Sequence, residues 1–312
     1  MRASSLRLRR LAAIILICGM VAAPAAPAGA ALAPAGSARA AAGRQAALAA
    51  TVRLPALAAP GPAAIEITAD QFGRPLAGDD AARLYDKPSV LLKAGDHVQF
   101  SAAVPADGDY TLSFDMAAGA FINRPEGQLL IDGAVPVEQP QHLVFLVYYQ
   151  NSSEEFPLDR YGNEGLIRQQ PLVFWTTAPA RDPARIEKYP VQYHLSAGEH
   201  QFEFELTEES LYLGSVYLEL FAPPPSYDQY RQAQTAPPAA GVLRTLEAES
   251  PAYKNDTSVR PVSSRSLEVT PYDTYRLLLN TLGGDSWTLS GSAVFYDIDV
   301  PADGLYAITL RA

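Results

Sequence analysis

Cysteine is almost absent: Cys18 is the only one among 312 residues. It falls inside an N-terminal targeting segment, so a processed chain has no disulfide, no thiol nucleophile and no thiolate for a metal. Histidine is scarce as well. His97, His142, His194 and His200 show no His-Glu-x-x-His spacing, and there is no Gly-x-Ser-x-Gly elbow or phosphate-binding glycine loop. His200 reads as a surface strand residue. The neighbouring pairs Glu154-Glu155 and Glu208-Glu209 make poor glycosidase acids. Adjacent side chains point apart, whereas that chemistry needs carboxylates facing each other at roughly 5–9 Å. Helical hydrophobic periodicity is missing over any useful length, and no apolar run approaches the roughly 20 residues of a spanning helix. The expectation is a non-enzymatic chain without a transmembrane span.

Positive charge is also short, and its densest cluster lies at the start. Arg2, Arg7, Arg9 and Arg10 precede an apolar run from Leu11 to Ala23, and Ala28-Gly29-Ala30 offers a cleavage site. Residues 1–30 therefore read as a signal peptide, and the mature chain as secreted, extracellular or on the cell surface. Ile17 before Cys18 argues against lipid attachment. Without the leader, 20 of the 24 basic residues stand against 34 acidic ones, a balance of −14. Such a chain repels phosphate backbones, so nucleic acid is not an expected partner.

Proline and alanine divide what remains. Residues 31–62 are an Ala/Pro-rich spacer, with Pro34, Pro55, Pro60 and Pro62 blocking the helix that alanine would favour. A second break runs over 223–241, from Pro223-Pro224-Pro225 to Pro237-Pro238. Two folded units follow, 63–222 and 242–312.

Within them the period is two. Val98, Phe100, Ala102 and Val104 alternate with more polar neighbours. So do Tyr110, Leu112, Phe114 and Met116, then Phe202, Phe204 and Leu206, and Val216, Leu218 and Leu220. Strands with one wet face produce this pattern. Short strands separated by turn signals predict an all-β antiparallel sandwich with a core of Val98, Phe100, Tyr110, Leu112, Phe114, Ile131, Phe204 and Val216. A repeat supports it. Val104-Pro105-Ala106-Asp107-Gly108-Asp109-Tyr110 recurs 196 residues later as Val300-Pro301-Ala302-Asp303-Gly304-Leu305-Tyr306, with the apolar alternation matched on both sides. The Asp-Gly turn predicts two equivalent hairpins, Val98–Met116 and Val294–Ala312. The second copy stops inside its strand. The expectation is one complete domain followed by the N-terminal part of a second, a fragment of a longer protein.

Leu130-Ile131-Asp132-Gly133, Leu195-Ser196-Ala197-Gly198-Glu199-His200 and Leu246-Glu247-Ala248-Glu249, taken in order with the repeated turn, resemble galactose-binding-like jelly rolls. Those are carbohydrate-binding modules of the family 6 and 35 type. Leu279-Asn280-Thr281-Leu282-Gly283-Gly284-Asp285-Ser286-Trp287 resembles tandem modules at the front of large bacterial extracellular solute-binding proteins of sugar-type ABC transporters. The resemblance implies an oligo- or polysaccharide ligand, and a transporter permease as a partner through a downstream domain. Two alternatives stand beside it: a structural spacer without a ligand, and an accessory module of a glycoside hydrolase.

In such modules Glu-x-Glu on the first strand helps hold a structural calcium. Glu247 and Glu249 fit, and two carboxylates on one strand face suit a hard cation. The first-unit counterparts are Thr68 and Asp70, with one ligand missing. The most polar loop of the first unit, Asp159-Arg160-Tyr161-Gly162-Asn163-Glu164, offers a sugar site. Asp159, Asn163 and Glu164 would bond hydroxyls while Tyr161 or Trp175 stacks on the apolar face of a pyranose. The competing reading is an ordered Asx loop whose Asp and Asn satisfy backbone amides.

Overall fold

The structure is a computed structural model that describes residues 11–17, 63–118, 123–136, 142–182, 189–239 and 241–311. Most of the leader and all of the 31–62 spacer lie outside these residues.

The chain is nearly all strand. From the start come β1 (Leu11–Ile17), β2 (Ile65–Ile67), the short helix α1 (Asp80–Arg83), β3 (Val90–Lys93), β4 (His97–Val104) and β5 (Gly108–Ala118). Then follow β6 (Glu126–Ile131), β7 (His142–Val144), β8 (Tyr148–Asn151), β9 (Gln169–Leu172) and β10 (Thr176–Pro179). The first unit closes with β11 (Gln192–Leu195), β12 (Gly198–Glu208) and β13 (Ser210–Leu220). Helix α2 (Tyr227–Ala233) sits in the proline-rich linker, started by a Ser226–Gln229 capping box. The second unit adds β14 (Tyr253–Lys254), β15 (Pro261–Val262), β16 (Thr281–Leu282) and β17 (Ala293–Asp299).

Two antiparallel sheets make the sandwich. One runs β4-β12-β6-β7; the other runs β10-β5-β13-β2, with β11 also on β5 and β3 also on β13. Alternation carried into burial as expected: β4 is alternately exposed and buried along its whole length. Its inward residues meet those of the facing sheet in one core. There Phe100 stacks on Phe202 at 5.2 Å, and Phe145 lies edge-on to Phe114 and Phe204. The expected core residues are buried there, and Ile131 packs against them half-buried. Gly127 is required by that packing. A Cβ on it would lie 2.4 Å from the Phe204 ring.

The expected hairpin is not one. β4 pairs with β12 in one sheet, while β5 pairs with β10, β11 and β13 in the other. The Pro105–Asp107 turn is an arch that carries the chain across the core. β11 and β12 make a second such arch beside it, and Asp107 ties the two by accepting the Ala197 amide at 2.7 Å. Tyr110 bonds back to Ala106 O at 2.8 Å.

The repeated turn keeps this last contact: Tyr306 bonds to Ala302 O at 2.7 Å. The flanking strands do not match. β17 forms, but 306–310 is not a strand, so Val98–Met116 and Val294–Ala312 are not equivalent hairpins. In the first unit β5 is held on both sides by β10, β11 and β13. Among the described residues nothing plays those parts for 306–310.

The two units also share a sheet, ordered β1-β17-β14-β8-β9. Beneath it Tyr148 and Phe174 of the first unit pack with Tyr253 and Phe295 of the second, Tyr253 and Phe295 stacking at 4.5 Å. The 223–241 break thus separates chain segments but not sheets. The β1 backbone lies along β17, an apolar run on an otherwise open strand edge.

Candidate functional site

The Asp159 loop is an ordered Asx turn. Asp159 Oδ1 accepts the amides of Tyr161 at 2.7 Å and Asn163 at 2.9 Å, and Oδ2 accepts Asn163 Nδ2 at 2.9 Å. These bonds, the Asn163 side chain first, hold the Asp159 carboxyl below its ordinary pKa. Gly162, at φ +80°, supplies the left-handed step. Asn163 and Glu164 turn to the second unit. Asn163 Oδ1 accepts the Leu277 amide and Glu164 Oε2 the Leu279 amide, each at 2.8 Å, while the Glu164 amide donates to Leu277 O. Of the four loop candidates, Asp159 caps its own turn and Asn163 and Glu164 join the seam between units. Tyr161 stays 67% exposed.

Trp175 is not beside them on the surface. It is buried, stacked on Tyr85 at 4.2 Å and 13°, with Tyr212 tilted against it. An indole covered in this way cannot serve as an open sugar platform. The ring fills a satellite core with Ala117 instead.

The glutamate pair also departs from expectation. Ala248–Glu249 is a turn, not a strand, with Glu247 exposed and Glu249 buried. The two side chains do not share a face. Among the described residues no group of three His, Cys, Asp or Glu could hold a metal ion. As folded, Glu247 and Glu249 do not fit a calcium site. Thr68 precedes a 3-10 turn that contains Asp70, and its side chain makes no capping bond to that turn.

His200 is buried rather than on the surface. Its Nδ1 lies 2.7 Å from Asp132 Oδ2 and its Nε2 2.9 Å from Ser196 O. The ring therefore braces the second arch against the turn after β6. His194 pairs with Asp109 at 2.9 Å on the surface.

A polar cluster that sequence reasoning missed covers the outer face of β5 and β13. Buried Asp115 accepts hydrogen bonds from Tyr85 at 2.6 Å, Tyr217 at 2.9 Å and Thr177. Lys87 donates to Tyr217 and pairs with Glu66, which also accepts from Ser215 at 2.7 Å. Burial and the Asp115 bond push the Tyr85 phenol well above its ordinary pKa. Burial works against the Lys87 charge, but the bonds to Glu66 and Tyr217 outweigh it and raise its pKa. Every group here is matched inside the cluster, which makes it a polar plug under Trp175. The only sequence signal was Asp115 on the outward register of β5, in line with Thr111 and Ser113.

No protein-family model matches the sequence, and no curated protein matches it. Solved structures do match. The C-terminal CBM6 of LamC, a marine laminarinase from Zobellia galactanivorans, is 13% identical, over 50% of this chain and 98% of its own, at a TM-score of 0.31. A carbohydrate-binding module from Cellvibrio mixtus lichenase 5A, solved with cellotriose, is 14% identical over 51% and 98%, at 0.27. A family 35 carbohydrate-binding module from Clostridium thermocellum is 11% identical over 41% and 73%, at 0.26.

Proposed function

We propose that the chain is a non-catalytic glycan-binding region of an exported bacterial protein. The observation that carries this reading is Tyr161: a large aromatic ring, 67% exposed, on a rim loop whose backbone is held rigid by Asp159. An exposed ring carried on fixed backbone suits the apolar face of a pyranose, and a preorganised loop lowers the entropic cost of binding. The order of sequence motifs on an antiparallel sandwich supports the same reading. The Leu279–Trp287 resemblance extends it to the front of a solute-binding protein of a sugar-type ABC transporter, with the permease reached through a further domain.

One observation favours the spacer reading instead. Asn163 and Glu164 are spent on the Leu277 and Leu279 backbone, so much of the loop's polarity serves the seam. Calorimetric titration of the full chain with soluble oligo- and polysaccharides separates the two. Weak but saturable heats support glycan binding, and no heat with any glycan supports the spacer.

A further inference from the structure

The Asp159 loop has a twin in the second unit. Asp273 Oδ1 accepts the amides of Tyr275 at 2.8 Å and Arg276 at 2.9 Å, as Asp159 Oδ1 accepts those of Tyr161 and Asn163. Each turn is an Asp-x-Tyr unit whose carboxylate faces its own backbone and whose tyrosine faces solvent. Tyr275 is 92% exposed and Tyr161 67%. The Asp273 carboxyl sits near pKa 2, held there by those two amides and the Arg276 side chain.

These turns meet. Leu277, two residues past Tyr275, donates its amide to Asn163 Oδ1 and its carbonyl accepts the Glu164 amide at 2.9 Å. The Arg276 side chain packs over Gly162, where a Cβ would lie 3.1 Å from its Cδ. The Arg160 guanidinium lies over the Tyr161 ring, 4.6 Å from its centroid, while Arg276, next to Tyr275 in the chain, pairs with Asp273 at 2.7 Å.

We infer that Tyr161 and Tyr275 form one composite platform for a pyranose chain across the seam between the units, with Arg160 and Arg276 as flanking donors. This rests on the glycan-binding reading above and assigns its site to both units. Two exposed aromatics on backbone fixed by side-chain caps are costly to display and pre-positioned for stacking. The carboxylates face inward, so the outward polar groups are guanidinium N–H and phenol O–H, which suit a ligand dense in acceptor oxygens. Rings raised on turns, with donors beside them, match a hydroxyl-rich chain better than an apolar peptide side chain, which needs a concave socket.

Affinity electrophoresis of the full chain through gels holding laminarin, xylan, galactomannan or polygalacturonate tests this. The wild type should be retarded in at least one gel. Tyr161→Ala and Tyr275→Ala should each weaken that binding by about tenfold, and together abolish it. Both rings are exposed, so thermal midpoints should stay unchanged; Tyr→Phe at either position should keep most of the binding. If the wild type is retarded but either alanine variant runs like it, the composite platform is overturned while glycan binding stands. If the wild type is retarded in none of the gels, the platform and the glycan reading fall together.

Discussion

His200 links Ser196 and Asp132 through its two ring nitrogens, and this gives it a testable pH signature. Both neighbours accept hydrogen bonds, Ser196 O foremost, so the folded state favours the imidazolium and raises its pKa above the ordinary 6.5. Asp132, bonded first by the Gln201 amide and then by His200, is held below its ordinary 3.8. A raised histidine contributes stability that is complete below 6.5 and fades as pH climbs through the folded value. A lowered aspartate contributes above 3.8 and fades as pH falls through its folded value. The pair therefore favours the folded state most between about pH 4 and 6.5. Urea midpoints across pH 4 to 9 should show the wild type losing stability on the alkaline side of this window. His200→Gln should remove that slope. An unchanged slope in the variant would mean another group titrates.

Among the elements, β5 shows what alternation can and cannot reveal. Its inward residues Tyr110, Leu112, Phe114 and Met116 were legible because every second position is apolar. Its partners were not. Asp107-Gly108 signals a turn, but a turn sequence does not say whether the next strand pairs back or crosses to the facing sheet. Here the pairing of β5 was decided by β10, β11 and β13, up to about a hundred residues away. For the same reason Trp175 looked available. The residue that covers it, Tyr85, is 90 positions earlier in a segment with no periodic pattern. The Asp159 turn was legible as an Asx loop because its capping bonds are local, whereas its docking on Leu277 and Leu279 was not.

The bulge in β13 makes this covering possible. Register shifts between Leu213 and Val216, and a Cβ on Gly214 would lie 2.5 Å from the Tyr85 ring. Gly214→Ala should push Tyr85 off Asp115 and Trp175, at a cost of about 1–3 kcal/mol. Denaturant titration with tryptophan fluorescence checks it. A variant with wild-type stability and emission would show that the ring is not held there.

At the scale of the whole molecule, the seam decides whether the two units behave as one. Tyr148 and Phe174 pack with Tyr253 and Phe295 beneath the shared sheet. Phe295, 2% exposed, should cost about 3–5 kcal/mol when replaced by alanine. The loss should also lower amide protection at Tyr148–Asn151 in the first unit. Loss confined to residues 242–312 would show that the units unfold separately.

The same seam holds the proposed ligand platform, so glycan binding and inter-unit contact are read together by hydrogen–deuterium exchange on the full chain. Exchange should be compared without glycan and with the soluble polysaccharide that retards it most. Protection is expected in both 159–164 and 273–279, with little change at Trp175, which is already buried. Protection in one turn alone, protection on a distant face of the sandwich, or none with any polysaccharide would contradict a glycan site shared by the two units.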